Sequence, residues 1–182
     1  MQLRNTAFRY GSLSIGLHWF MLLLLAAVYA CIDFSGSFPK GSDMRAALKT
    51  WHFMLGLSVF IVVWLRLAVN LTDSAPPINP EPPGWQSQTA KWLQSALYLL
   101  LICMPLAGWL LLSTEGKPIP FFGLHLPALT GENKNAAGWI KDIHETGGTI
   151  GYFLVGIHAA AALFHHYFLR DNTLLRMLPG RH

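Results

Sequence analysis

KDIHETGGTIGYFLVGIHAAAALFHHYF, from Lys141 to Phe168, decides how the rest of the chain is read. The pattern is one long apolar helix carrying two histidines, His144 and His158, fourteen residues apart. At about 100° per residue this separation falls about 40° short of four full turns, so both imidazoles leave one face, about 21 Å apart along the axis. That is most of the way across a hydrocarbon core roughly 30 Å thick. A histidine inside a lipid-spanning helix is costly and by default marks function. Gly151 lies midway between the two on the same face, where a missing side chain leaves room for a flat ligand or a close helix. Gly147 and Gly148 thin the helix further around His144. Two histidines on one face, one toward each membrane surface, point to two metal cofactors stacked through the bilayer.

Composition agrees with a membrane protein. Of 182 residues, 53% are hydrophobic and 12% charged, and the mean hydropathy is +0.38. The apolar residues fall in blocks of spanning length, which excludes a soluble domain. The expected fold is all-α, a bundle of four transmembrane helices in a single domain, 1–182, with helices near 9–33, 45–71, 87–113 and 139–169. A formal net charge of +4 without a basic run reads as topology and excludes a nucleic-acid partner. Cys31 and Cys103 lie inside apolar blocks with no metal-binding spacing, and are expected as buried small hydrophobes.

Leu13 to Ile32 is the first block, and His18 is its one strongly polar residue. Its length and the three blocks after it argue against a cleaved leader, although Val28-Tyr29-Ala30-Cys31 faintly resembles a lipoprotein cleavage site. Trp51 to Leu71 is the second block, opened by His52 and holding Arg66 near its end. Residues 72–86 contain five prolines and read as a stiff extramembrane link. Trp92 to Leu112, the third block, has no histidine, and Pro105 is expected to kink it. Residues 113–140 form the longest loop, functional or mobile at that length.

The termini and the proline-rich link share one side, which with Arg66 and Lys91 carries seven Lys/Arg against six on the other. The positive-inside rule counts only basic residues and puts both termini in the cytoplasm. His18 then lies on the terminus side and His52 on the opposite side. His144 opens the last helix on that opposite side, and His158 lies deeper, toward the termini. Depth pairs His18 with His158 and His52 with His144.

Two neutral imidazoles without a cysteine or carboxylate partner suit haem iron better than tetrahedral zinc, which wants four ligands. A helix bundle can also enclose so large, flat and apolar a group. Arg66 on the terminus side, and Arg45 or Lys49 on the other, are placed to meet haem propionates; for Arg66 the alternative is snorkelling to the interface. Met54 and Met104 read as packing residues. His125 and His182 read as solvated. His165 and His166 end the last helix on the terminus side, where they meet either a quinone carbonyl or lipid headgroups.

These pieces resemble a known family. Leu17-His18-Trp19, Trp51-His52, Ile143-His144-Glu145, the run from Gly156 to Leu163 continuing through His165-His166-Tyr167, and the tail from Asp171 to Met177 all resemble bacterial cytochrome b561, over essentially the whole length. The resemblance implies two haem b groups with the pairs above, in the bacterial inner membrane, exchanging electrons with ubiquinone. In one branch of the family it implies a superoxide:ubiquinone oxidoreductase, oxidising superoxide to oxygen at the periplasmic face with no protein partner required. Arg45, Lys49 and Lys141 are then expected to draw superoxide toward the outer haem, although six acids share that side, Asp142 and Glu145 among them. The alternatives are an electron carrier between the quinone pool and a periplasmic partner, or the membrane anchor of a larger dehydrogenase. The tail matches the free-standing cytochromes and ranks the anchor last.

Overall fold

The computed structural model describes residues 2–180, so His182 lies outside the described residues. Four helices dominate: α1 (Ser12–Ser35), α2 (Asp43–Thr72), α3 (Gly84–Thr114) and α4 (Lys134–Phe164). All four are long and apolar enough to cross a membrane. Large side chains on every one of them point outward, Leu23, Trp64, Leu99 and Phe153 among them. In water this would be costly; in lipid it is the expected outer face, because hydrocarbon solvates leucine as well as a protein core does.

The same argument corrects the reading of the cysteines. Cys31 is half-buried and Cys103 exposed. A thiol facing lipid behaves as one more small apolar group, so nothing drives it inward.

α2 and α3 outrun their apolar blocks at both ends and α4 starts ahead of its block, at Lys134, but its α-helix stops at Phe164; α1 starts at Ser12, later than the expected residue 9. Ser42 accepts the Arg45 amide at 3.4 Å and starts α2 at Asp43. Asn133 accepts the Ala136 amide at 3.1 Å, so α4 starts at Lys134. Pro105 sits inside α3 without ending it.

The chain divides into two compact units. The first comprises the chain up to Trp19, Trp64–Leu100 and Thr149 onward; the second comprises Phe20–Val63 and Leu101–Gly148. The division cuts through the helices, since a residue on a long helix meets only neighbours near its own depth.

In the first unit the N-terminal segment, the proline-rich link and the tail are tied together. Asn5 donates its amide to Asp73 at 3.1 Å. Asn79 and Asn172 exchange two bonds, of 2.8 and 3.2 Å. Arg176, buried, donates to the Pro76 carbonyl and lies over the Tyr10 ring at 5.6 Å. Arg9 donates to the carbonyls of Leu178 and Gly180.

In the second unit the long loop is largely structured. α3 closes in a Schellman motif, with Lys117 N bonded to Leu112 O and Gly116 N to Ser113 O, and with Gly116 at φ +65°. A hairpin follows, β1 (Ile119–Phe121) and β2 (Leu124–Leu126), paired Ile119 with Leu126 and Phe121 with Leu124. Phe122 and Gly123, at φ 46° and 85°, make the two-residue turn. Ile119 packs with Leu57 and Leu112, and Phe53, Trp109, Phe121 and Leu126 pack around them. Met54 accepts the Phe122 amide at 3.3 Å. His125 is exposed on β2.

Candidate functional site

Four of the histidines singled out by depth meet in two pairs, one in each unit. In the first unit His18 of α1 and His158 of α4 stand with ring centroids 6.1 Å apart and planes at 58°. In the second, His52 of α2 and His144 of α4 stand 6.2 Å apart at 85°.

The first pair is held by its surroundings. Trp19 sets its ring edge-on to His18 at 5.4 Å and donates its indole N–H to the Met177 carbonyl at 2.8 Å, so the tail fixes the residue beside the imidazole. Arg66 of α2 bonds the Tyr98 hydroxyl of α3, and its charge bears on both His18 and His158. His18 Nδ1 is buried without a hydrogen-bond partner.

The second pair is held differently. His52 Nδ1 lies 2.9 Å from the Val28 carbonyl. A carbonyl only accepts, so Nδ1 carries the proton and Nε2 keeps its lone pair for a metal. Against His144 the chain has Gly108, where an added Cβ would come within 3.1 Å of the imidazole Cε1. Gly147 brings α4 close to the Met104 thioether, and the Gly148 carbonyl accepts the Tyr29 hydroxyl at 2.9 Å.

Both separations suit one metal atom between two nitrogens. A metal–imidazole bond is about 2.1 Å, and the centroid of a five-membered ring lies about 1.1 Å from its nitrogen, given ring bonds near 1.33 Å. Two imidazoles on opposite sides of one metal therefore place their centroids about 6.4 Å apart. Among the described residues no cluster of three or more His, Cys, Asp or Glu forms. Two imidazoles facing each other in each pair would suit a macrocycle that brings its own nitrogen donors. The residues present fit haem.

The other residues named from sequence separate. His165 Nδ1 bonds the Asp171 carboxylate at 2.5 Å, whereas His166 sets its ring edge-on to Tyr167 at 4.9 Å. Arg45 donates to the Phe38 carbonyl at 2.9 Å and braces the loop before α2. Lys141 lies 3.6 Å from Glu145. Lys141 also lines a cleft of about 370 Å³ with Lys117, Lys134, Glu115 and Glu132. Sequence reasoning missed Lys117 and Lys134 there because a Gly-capped helix end and a capped helix start fold them together, a juxtaposition without a periodic signal. It missed Asp171 and Arg176 because a turn in the tail buries them.

Residues 9–180 match the family described as prokaryotic cytochrome b561. The chain is 40% identical to cytochrome b561 homolog 1 of Escherichia coli strain K12, over 95% of this chain and 98% of that protein. It is 35% identical to a Yersinia pestis protein named probable superoxide oxidase CybB, over 95% and 97%. Cytochrome b561 homolog 2 of Escherichia coli strain K12 is 29% identical over 98% and 95%.

Proposed function

The chain belongs to the prokaryotic cytochrome b561 family of membrane electron-transfer cytochromes, which bind b-type haem, and we propose that it is a di-haem member that oxidises superoxide and reduces ubiquinone. His18 and His158 hold one haem in this reading, and His52 and His144 the other. The observation that carries it is the near-identity of two independent separations, 6.1 and 6.2 Å, each matching a pair of imidazoles across one metal. A bound haem supplies the one-electron couple.

The chain's own residues do the rest. Val28 fixes the tautomer of His52, and Arg66 offers a cation for a propionate beside the His18–His158 pair. The protein lies in the bacterial inner membrane with both termini cytoplasmic. At the opposite face superoxide gives up one electron and leaves as oxygen; no bond forms and no proton moves. Arg45, Lys49 and Lys141 draw the anion, helped by Lys117 and Lys134 around the cleft, while Glu115, Glu132 and Glu145 temper the field. On the terminus side ubiquinone takes up the electrons with protons, near His165 and His166. Likeness to the Yersinia pestis protein supports the superoxide step.

Purified protein tests this by haem content per chain, then by stopped-flow reduction with superoxide, with and without ubiquinone. Two haems reduced by superoxide and reoxidised by quinone are expected. The 40% identical relative is named only as a cytochrome, which favours a plain electron carrier as the second reading. Two haems indifferent to superoxide but reduced by quinol would establish that reading, or that of an anchor for a dehydrogenase.

A further inference from the structure

The hairpin of β1 and β2 has two unlike faces. In an antiparallel pair, opposed residues point the same way and neighbours along a strand alternate. The register pairs Ile119 with Leu126 and Phe121 with Leu124, so these four apolar side chains share one face, and Pro120 and His125 take the other. The base of the apolar face is used. Ile119 is buried against Leu57 and Leu112, with Phe121 and Leu126 close around them. The tip is not used in this way: Leu124 is 64% exposed, and Phe122 in the turn 54%. The apolar face therefore runs on beyond the cluster that supports its base.

Two features of the tip say what covers it. Phe122 stands at φ 46°. A two-residue turn gives that conformation to Asn, Asp or Gly, and it is costly for a bulky side chain. The phenyl ring works against the turn, so the reason for it lies in what the ring touches. Within the chain it meets Trp51, with ring centroids 6.2 Å apart and planes at 70°. Trp51 is itself half exposed and lies toward the start of the α2 span. Tryptophan at the end of a spanning helix sits at the level of the lipid headgroups. The bond from the Phe122 amide to the Met54 thioether holds the turn at that level. Phe122 and Leu124 thus continue a lipid-facing surface.

We propose that this tip is an interfacial anchor, with Phe122 and Leu124 inserted beside Trp51 at the boundary of headgroups and acyl chains, in the leaflet opposite the termini. Residues 119–126 contain no Asp, Glu, Lys or Arg. The partner is therefore the apolar boundary of a phospholipid layer, held by buried apolar area rather than by headgroup charge. His125, on the other face, stays in water. The base of the hairpin rests on Phe53, whose ring stands edge-on to His52 at 6.1 Å. The anchor thereby ties the cover of the His52–His144 pair to the membrane surface.

The test uses full-length holoprotein carrying Cys31→Ala and Cys103→Ala, reconstituted in phosphatidylcholine vesicles. A nitroxide is attached at Leu124→Cys or at His125→Cys. Power saturation of its EPR signal compares collisions with oxygen, which dissolves in lipid, and with a nickel chelate, which stays in water. At Leu124→Cys oxygen should exceed nickel severalfold, and at His125→Cys the order should reverse. Adding phosphatidylglycerol should change neither. Phe122→Asn supplies the Asn-Gly pair that the turn prefers, so Tm in detergent should hold or rise while the label at position 124 moves toward nickel. A label there as open to nickel as the one at position 125 would overturn the proposal. So would a label that neither probe reaches, which marks a second copy of this chain over the tip. Insertion that requires phosphatidylglycerol would also overturn it, in favour of charge. If Leu124→Cys does not fold, a label at Phe122→Cys carries the same outcomes.

Discussion

Gly108→Ala places one methyl group against one imidazole. The added Cβ lies 3.1 Å from His144 Cε1, 3.7 Å from Nδ1 and 3.9 Å from Nε2. Ordinary carbon contacts are about 3.5–4.0 Å, so the ring must retreat by roughly half an ångström or tilt about its far edge. Preorganised sites tolerate about 0.5 Å before performance falls, and overpacking of one methyl typically costs about 1–3 kcal/mol. Every 1.4 kcal/mol is about tenfold in an equilibrium, so the His52–His144 centre should bind haem about ten- to a hundredfold more weakly. His18 and His158 have no such contact and should be untouched. Titration of haem-depleted protein with haemin measures this, with the two centres told apart by low-temperature spectra of ferric protein. The ring planes cross at 58° in one pair and 85° in the other, so the two low-spin signals should differ, with the larger g-anisotropy at His52–His144. Equal weakening of both centres, or none at either, would refute the assignment of His144 to a ligand position beside α3.

Replacing His52 or His144 by alanine should remove one and the same haem, and replacing His18 or His158 the other, read as haem per chain; a shared loss in His18→Ala and His52→Ala would break the pairing. Arg66→Gln removes a cation that bears on both His18 and His158. Because a cation favours the less positive, reduced state, the midpoint potential of that centre should fall, by on the order of tens of millivolts at an effective dielectric near 20, in a redox titration that leaves the other centre in place. The Asp171 carboxyl is held below its ordinary range in the fold; its stabilising contribution is therefore present above about pH 4 and is lost as pH falls through the lowered value. Thermal unfolding should show a smaller loss of Tm on acidification in Asp171→Asn than in wild type.

The four spans and the histidine pairs were legible because they rest on periodicity. A 3.6-residue repeat assigns His144 and His158 to one face, and the order of the spans assigns His18 and His52 to opposite depths; the observed pairs follow from these two facts. What was hidden depends on turns. The hairpin at Ile119–Leu126 is too short to show alternation, and Phe122 adopts φ 46° where a glycine would be expected. Asn133 and Ser42 extend α4 and α2 by capping, which an apolar window does not register. The bond between His165 and Asp171 needs a π-turn and a left-handed arginine, neither of which has a sequence signal. The partner of Arg66 was equally out of reach, since Tyr98 sits on a helix without a histidine to draw notice.

One of the four helices, α4, supplies an imidazole to both pairs. Ribosomes make chains from the N-terminus, so α1 and α2 enter the membrane with His18 and His52 each lacking a mate. Neither pair can close until the last helix is threaded. On the di-haem reading, cofactor capture therefore waits for the fourth helix. Until then the nascent chain presents no complete pair of imidazoles.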